Sequence, residues 1–515
     1  MDTTIVNVQK LTVCLLLVVC VCCSCHEKRT NVSVSLDSFA DMTDIAYRLD
    51  AEKIRENVYR QMMSDTDRET ADIHARRHYL DGGGMVWIER GGVSSKADSL
   101  LAYIEGIGSI GFSREKFCYS SIANDLKIVR CAGFDASADS RNNINKVYAR
   151  LEYHLTKAFL RYAEGMRFGF MNPCDAFNRI DVRDSDSVRV SYRTLYDVPT
   201  KHPDKKFVAE AFAAMGKDGR TVGEFLAASQ PENPIYGVFK RRLGEKLTSS
   251  ERRLLLCNME RSRWRHGDYP QMHGKCVVVN IPSLHLVAFD GDRRLTMRIG
   301  LGSLETKTPL LTSCVKRMDF NPQWIIPKSI VKKSVRQHAG NRGYFESRDY
   351  FIQQRTTGKE VDPATVTGDM LMSKEYLVIQ RGGEGNALGR VIFRFDNNFS
   401  IFMHDTSNRS VSHGCIRVEK PYELAVFMLG DKDERIMEKM KYSMTVKYGR
   451  HRTDDDDQSY PIDRTLLIRS QKVDPQVPIF ITYYTLYPDA EGGLEEYEDI
   501  YGFDTVVYNK IKSYF

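Results

Sequence analysis

Ile401-Phe402-Met403-His404-Asp405-Thr406, followed a few residues later by Ser412-His413-Gly414-Cys415-Ile416-Arg417-Val418-Glu419, is the stretch on which the reading of this chain turns. Two histidines stand close to one cysteine. A thiol of ordinary acidity is mostly protonated at neutral pH, so a cysteine nucleophile needs an imidazole to take its proton and hold the thiolate. His404, at the end of a strand, is the first candidate for that base, and His413 is the alternative. Gly414 lets the backbone turn tightly, so that the N–H groups of Gly414 and Cys415 can face the oxygen of a tetrahedral intermediate. Read as metal ligands, His404, His413 and Cys415 lack a fourth partner, and no CxxC pair follows the leader. No metal is expected.

Outward from this motif the texture is that of a β domain. Cys276 to Ile281, His285 to Phe289 and Leu295 to Ile299 are short β-branched runs separated by Pro, Gly and Asp turns. Further strands are predicted at Tyr376 to Gln380, Val391 to Phe395, Ser400 to His404 and Val477 to Leu486, with a helix from Pro421 to Leu429. Residues 332–374, rich in Gly, Arg and Thr, show no clear periodicity and read as a long lid or insertion. Asp454 to Asp457 lacks the alternate spacing of a calcium loop and reads as a solvated loop.

The N-terminal half reads as helical. Ile45, Ala46, Leu49, Ile54, Val58 and Met62 recur at helical spacing and predict one helix across Ser38 to Ser64. A second runs from Ile144 to Met166, with Tyr148, Leu151, Leu155, Phe159 and Tyr162 on one face. Thr248 and Glu251 stand in capping-box spacing and open a third, to Arg265. The fold class expected is α+β: a mainly helical scaffold over 26–270, a β-rich catalytic domain over 271–450 with its insertion at 332–374, and a closing segment over 451–515.

At the very start, Lys10 precedes an apolar run, Leu11 to Val21, too short to span a bilayer but suited to a signal-peptide core. It ends in Cys22-Cys23-Ser24-Cys25, which resembles a lipoprotein processing site. Residues 1–25 are therefore expected to be a lipoprotein signal peptide with Cys25 as the lipidated residue and Cys23 as its alternative. The mature protein is expected in a periplasm, anchored to a membrane by lipid. Seven cysteines follow the leader, an odd number, so at least one thiol stays unpaired even in an oxidising compartment. Across 515 residues, 74 Lys and Arg face 68 Asp and Glu. That balance, with no basic block interleaved with aromatics, argues against nucleic acid as a partner.

HDT followed by SHGCIRVE resembles the signature of L,D-transpeptidases with a YkuD-type catalytic domain. Asn280-Ile281-Pro282, Arg298-Ile299-Gly300, Thr308-Pro309, Asn321-Pro322, Gly385-Asn386-Ala387-Leu388-Gly389, Tyr483-Tyr484-Thr485, Asp499-Ile500-Tyr501-Gly502 and Asn258-Met259-Glu260-Arg261 are similar to landmarks of the large YcbB-type subgroup. The resemblance implies a peptidoglycan enzyme that forms 3→3 cross-links, taking stem peptides as donor and acceptor. Cys415 matches the nucleophile, His404 the base, and His413 and Gly414 the motif neighbours. Ser412, Arg417, Asp405, Thr406 and Asn386 are candidates for substrate contact. No cofactor is implied, and carbapenem-type inhibitors are. Two departures stand out: only seven residues, Asp405 to Val411, separate His404 from Ser412, and no peptidoglycan-binding repeat is recognisable. The readings that compete are a hydrolase of the same fold and an inactive wall-binding scaffold.

Overall fold

The computed structural model describes residues 36–40, 42–90, 92–93, 95–182, 190–383, 385–406, 412, 414–430, 434–446, 462–488 and 493–515. Cys23 and Cys25, His413 and the acidic run Asp454 to Asp457 lie outside them. The chain divides into two compact units, one of residues up to 108 with 112–163 and 204–230, the other of 109–111, 164–203 and 231–515.

The first unit is helical. The single helix expected across Ser38 to Ser64 is instead a short turn of helix at Asp37–Ala40, a 3₁₀ turn at Ile45–Tyr47 and a helix at Ala51–Ser64. Two aspartates interrupt it: the Asp44 carboxylate accepts from Ala46 N–H, and Asp50 accepts from Glu52 and Lys53 N–H, each at 3.1 Å. Short acidic side chains that bond the backbone ahead of them start helices rather than continue them. The residues expected along one face of the helix from Ile144, namely Tyr148, Leu151, Leu155, Phe159 and Tyr162, are all buried. Charges on the same helix are buried in pairs: Arg150 forks onto Asp125 at 2.5 and 2.8 Å, and Arg161 onto Asp72 at 2.7 and 2.9 Å.

The second unit holds a nine-stranded sheet that closes on itself. In chain order its strands, with those of the insertion, are β1 (Tyr196–Asp197), β2 (Lys275–Asn280), β3 (His285–Asp290), β4 (Arg293–Gly300), β5 (Leu310–Phe320), β6 (Trp324–Ile325), β7 (Tyr350–Gln354), β8 (Glu360–Val361), β9 (Tyr376–Gln380), β10 (Val391–Phe395), β11 (Met403–His404), β12 (Ile416–Val418) and β13 (Ser470–Thr482). The order β5-β10-β11-β12-β4-β3-β2-β13 returns to β5, because β13 pairs with both β2 and β5; β1 adds to one end of β5. Closure removes free sheet edges. Following the register, one face carries Val277, Val279, Leu286, Ala288, Met297, Ile299, Val418, Ile416, Met403, Phe393 and Met318, all buried. Period-two alternation then sends His404 and Arg417 to the other face.

Residues 332–374, read as a long lid or insertion, have regular structure of their own. They lie within a module spanning β6 to β9, whose four strands run β6-β9-β7-β8 beside short helices at Lys328–Ile330, Arg342–Glu346 and Gly368–Met372. Ile326, Val331, Val335, Phe345, Ile352, Val366, Leu371 and Val378 form its own hydrophobic core. Elements of two to five residues are too short for a helical or strand period to register, which is why the sequence reads as irregular there.

The helix read from Thr248 runs Ser249–Arg263, and its capping box is formed, with Glu251 N–H on Thr248 Oγ1 at 3.2 Å and Thr248 N–H on the Glu251 carboxylate at 2.8 Å. It belongs to the second unit.

Candidate active site

Strands β11 and β12 run parallel, with Met403 opposite Ile416 and His404 opposite Arg417, and Ile416 N–H donates to Phe402 C=O at 2.9 Å. Cys415 immediately precedes β12, so period two puts its side chain on the face that carries Arg417 and His404. Strand spacing and rise set Cα atoms of residues so related roughly 8 Å apart, within the combined reach of a thiol and an imidazole. Arg417 lies close enough to act electrostatically on both groups.

His404 is 2% exposed. Its Nδ1 lies 2.5 Å from the Asp405 carbonyl oxygen. A carbonyl only accepts, so Nδ1 carries the proton and Nε2 keeps the lone pair. Burial pulls the imidazole down to about 4, against the smaller opposing pull of the Asp405 and Leu388 carbonyls. Cys415 is half-buried, and burial raises its thiol, offset in part by the Phe402 N–H and Arg417. Both groups are therefore neutral at pH 7. Among the described residues they share no hydrogen bond. The expectation of a thiolate already held by an imidazole is thus corrected: enclosure favours the uncharged form of each, and the proton stays on sulfur.

Acidity does not single out this thiol either. All seven cysteines beyond the leader are free, and burial raises Cys257 to about 12 and Cys276 to about 11. What distinguishes Cys415 is the built turn beneath it. Gly414, at φ +112°, adopts a conformation that glycine tolerates. Ser412, buried, donates from Oγ to the Cys415 carbonyl at 2.5 Å and accepts from Gly414 N–H at 3.1 Å. Thr308 Oγ1 donates to the Gly414 carbonyl at 3.1 Å, Thr306 Oγ1 to the Ser412 carbonyl at 3.0 Å, and Ser412 N–H to the Leu301 carbonyl at 2.9 Å. Tyr501 locks this from behind, its hydroxyl donating to Gly302 C=O at 2.7 Å and accepting from Thr308 N–H at 3.1 Å. Gly302 must be glycine, since a Cβ there would lie 1.9 Å from the Thr306 carbonyl oxygen.

This network revises three sequence expectations. The Gly414 N–H is used by Ser412 and does not face a reacting oxygen; Cys415 N–H, which has no acceptor among the described residues, remains as the backbone donor. Ser412 is a buried turn-former rather than a substrate contact. Asn386, also buried, donates to the Pro322 and Arg381 carbonyls and accepts from Leu388 N–H at 2.8 Å, shaping the loop that carries Leu388. The other three residues read as substrate contacts, Asp405, Thr406 and Arg417, line one cleft of about 200 Å³ with Arg298 and Glu419. Asp405 is oriented by the N–H groups of Arg390 at 2.9 Å and Thr406 at 2.7 Å. Thr306, Thr308 and Tyr501 were given no role from sequence, because nothing in spacing joins positions almost two hundred residues apart.

Replacing Tyr501 by Phe strips a partner from the buried Thr308 N–H and Gly302 C=O. The expected result is a loss of about 1–3 kcal/mol, seen as a lower Tm, together with roughly tenfold slower acylation of Cys415 as the turn loosens. Unchanged acylation by a carbapenem in the folded variant would show that the turn does not depend on this hydroxyl.

Residues 274–453 match the YkuD model, an L,D-transpeptidase catalytic domain, and residues 74–243 match a scaffold domain. The chain thus carries a YkuD-type catalytic domain and a scaffold domain, the YcbB-like architecture, and its fold class is α+β. It is 28% identical over 292 residues to a protein of Haemophilus influenzae named "Putative L,D-transpeptidase", a stretch covering 55% of this chain and 55% of that protein. The chain therefore matches about half the length of that relative. No helix among the described residues is long and apolar enough to cross a membrane.

Proposed function

We propose that this protein is a cysteine-dependent L,D-transpeptidase that forms 3→3 cross-links between peptidoglycan stem peptides. The observation that carries this reading is the pinned tautomer of His404: its Nδ1–H is committed to the Asp405 carbonyl, leaving Nε2 as a base on the face from which Cys415 projects.

In the proposed reaction, Nε2 takes the Cys415 proton as sulfur attacks the carbonyl between a diamino acid and D-Ala. The oxyanion that develops is met by the Cys415 N–H. Collapse breaks the C–N bond, the imidazolium returns its proton to the departing D-Ala amine, and a thioester remains. An acceptor amine then attacks the thioester, loses a proton to the same imidazole, and restores the thiol. Arg417, in the cleft beside it, supplies positive charge for a substrate carboxylate. Cys25 is the proposed lipid attachment point, which would hold the enzyme at a periplasmic membrane surface near its substrate.

Muropeptides incubated with the wild type and with Cys415→Ala, followed by mass spectrometry, test this. Cross-linked dimers and released D-Ala are expected from the wild type alone. Trimmed monomers without dimers would instead make water the acceptor and the enzyme a hydrolase.

A further inference from the structure

The first unit carries an open groove of about 730 Å³, within the ~300–1,000 Å³ of small-ligand sites. The helix Ala51–Ser64 contributes Arg55, Tyr59 and the Glu56–Arg60 ion pair, at 3.3 Å, to its lining. The run Gly82-Gly83-Gly84, just after the helix Thr70–Leu80, contributes bare backbone, and Tyr79 contributes a ring. Much of this lining is anchored on one buried carboxylate. Glu152 accepts from the Tyr79 hydroxyl at 2.9 Å and from Val86, Trp87 and Ile88 N–H at 2.7, 3.0 and 3.1 Å. His78 holds the glycine run: its Nε2 donates to Gly84 C=O at 2.8 Å and its ring stacks on Phe212 at 4.0 Å, while a Cβ on Gly83 would collide with that ring. A groove fixed before its ligand arrives loses little entropy on binding.

The lining offers aromatic surface and unused amide groups more than fixed charge. Tyr59 is 52% exposed and has no hydrogen-bond or ring partner among the described residues. The Gly84 N–H and the Gly82 and Gly83 carbonyls likewise have no partner there, and a Cβ on Gly82 or Gly84 would meet nothing within 4 Å, so the space beside this backbone is open. Arg55 is the one lining charge without an ion pair among the described residues, and an exposed charge pair contributes little. An acetamido group carries one C=O and one N–H, the complement of the free glycine backbone. A sugar ring presents a flat C–H face to an aromatic ring and a rim of hydroxyls to planar polar side chains.

We infer that this groove is a glycan-binding site taking a β-1,4-linked N-acetylhexosamine strand, with one sugar ring on Tyr59 and an acetamido group on the backbone of Gly82 to Gly84. The choice of polymer rests on the proposed reaction, whose stem peptides hang from such a strand. A hold on the strand keeps the enzyme on the wall between turnovers, through a contact that a free stem peptide does not make.

The test is a ligand-observed NMR titration of the full chain with N-acetylchitotetraose and, separately, with maltotetraose, which has no acetamido groups. Saturable binding of the first, roughly tenfold tighter than the second or more, is expected. Tyr59→Ala should weaken it roughly tenfold or more. Gly84→Trp should abolish it, since a side chain fits on that backbone and would occupy the groove. Both positions are exposed, so the variants should keep the wild-type Tm. No binding by the wild type, equal binding of the two sugars, or binding untouched by both substitutions would each overturn the inference. Carbapenem acylation of Cys415 is followed in the same samples: acylation without sugar binding sinks this site alone, and sugar binding without acylation sinks the proposed reaction alone.

Discussion

His404→Gln lowers the rate of Cys415 acylation by about 10²–10⁴-fold, the usual contribution of a positioned general base, and changes the shape of its pH profile. In the wild type the imidazole is pulled down to about 4 and the thiol is raised. The base is thus unprotonated across the neutral range, and the rate should be nearly flat there, falling only as acid protonates the ring. Glutamine cannot accept the proton, so the variant depends on the small thiolate population, and its rate should climb about tenfold per pH unit through the neutral range. Carbapenem acylation followed by mass spectrometry from pH 4 to 9 distinguishes the two profiles. A flat profile retained in the variant would transfer the role of base to His413.

Acid should destabilise the fold through three histidines. Burial pulls His154, His266 and His404 each down to about 4. In the unfolded chain they titrate near 6.5. Between those values the unfolded state binds more protons, so stability is full above about pH 6.5 and is lost as the pH falls toward 4. Each histidine accounts for a slope of about 1.4 kcal/mol per pH unit, or about 3 kcal/mol over the window. Glu152 and Glu260, raised by burial, act in the opposite sense, so the comparison is between variants and not with a single absolute curve. Urea unfolding of His154→Gln and His266→Gln at several pH values should show a slope reduced by one histidine's share in each. A slope identical to that of the wild type would mean that the ring in question is not held neutral.

The chemical motif was legible because it is nearly contiguous: His404 ends one strand, and Gly414 and Cys415 immediately precede its neighbour a few residues further on. Strands such as Tyr376–Gln380 and Val391–Phe395 were legible as compact β-branched runs. Leu310–Phe320 was missed, although it pairs with three others. Its register shifts against both β10 and β13, and Thr312, Ser313, Lys316, Arg317 and Asp319 dilute the apolar pattern, so no clean period of two survives. The charge state of the site was beyond the sequence for a different reason. Residue type says that a cysteine and a histidine can exchange a proton, but only the depth of their surroundings decides where that proton rests.

The family match ends at residue 453, whereas the strand that completes the barrel begins at Ser470. A fragment trimmed to the match would lack the stave between Lys275–Asn280 and Leu310–Phe320 and would present both as naked, sticky borders. A catalytic half that stands alone must therefore run on through Thr482, and through Tyr501 if the bed under the reactive sulfur is to stay made.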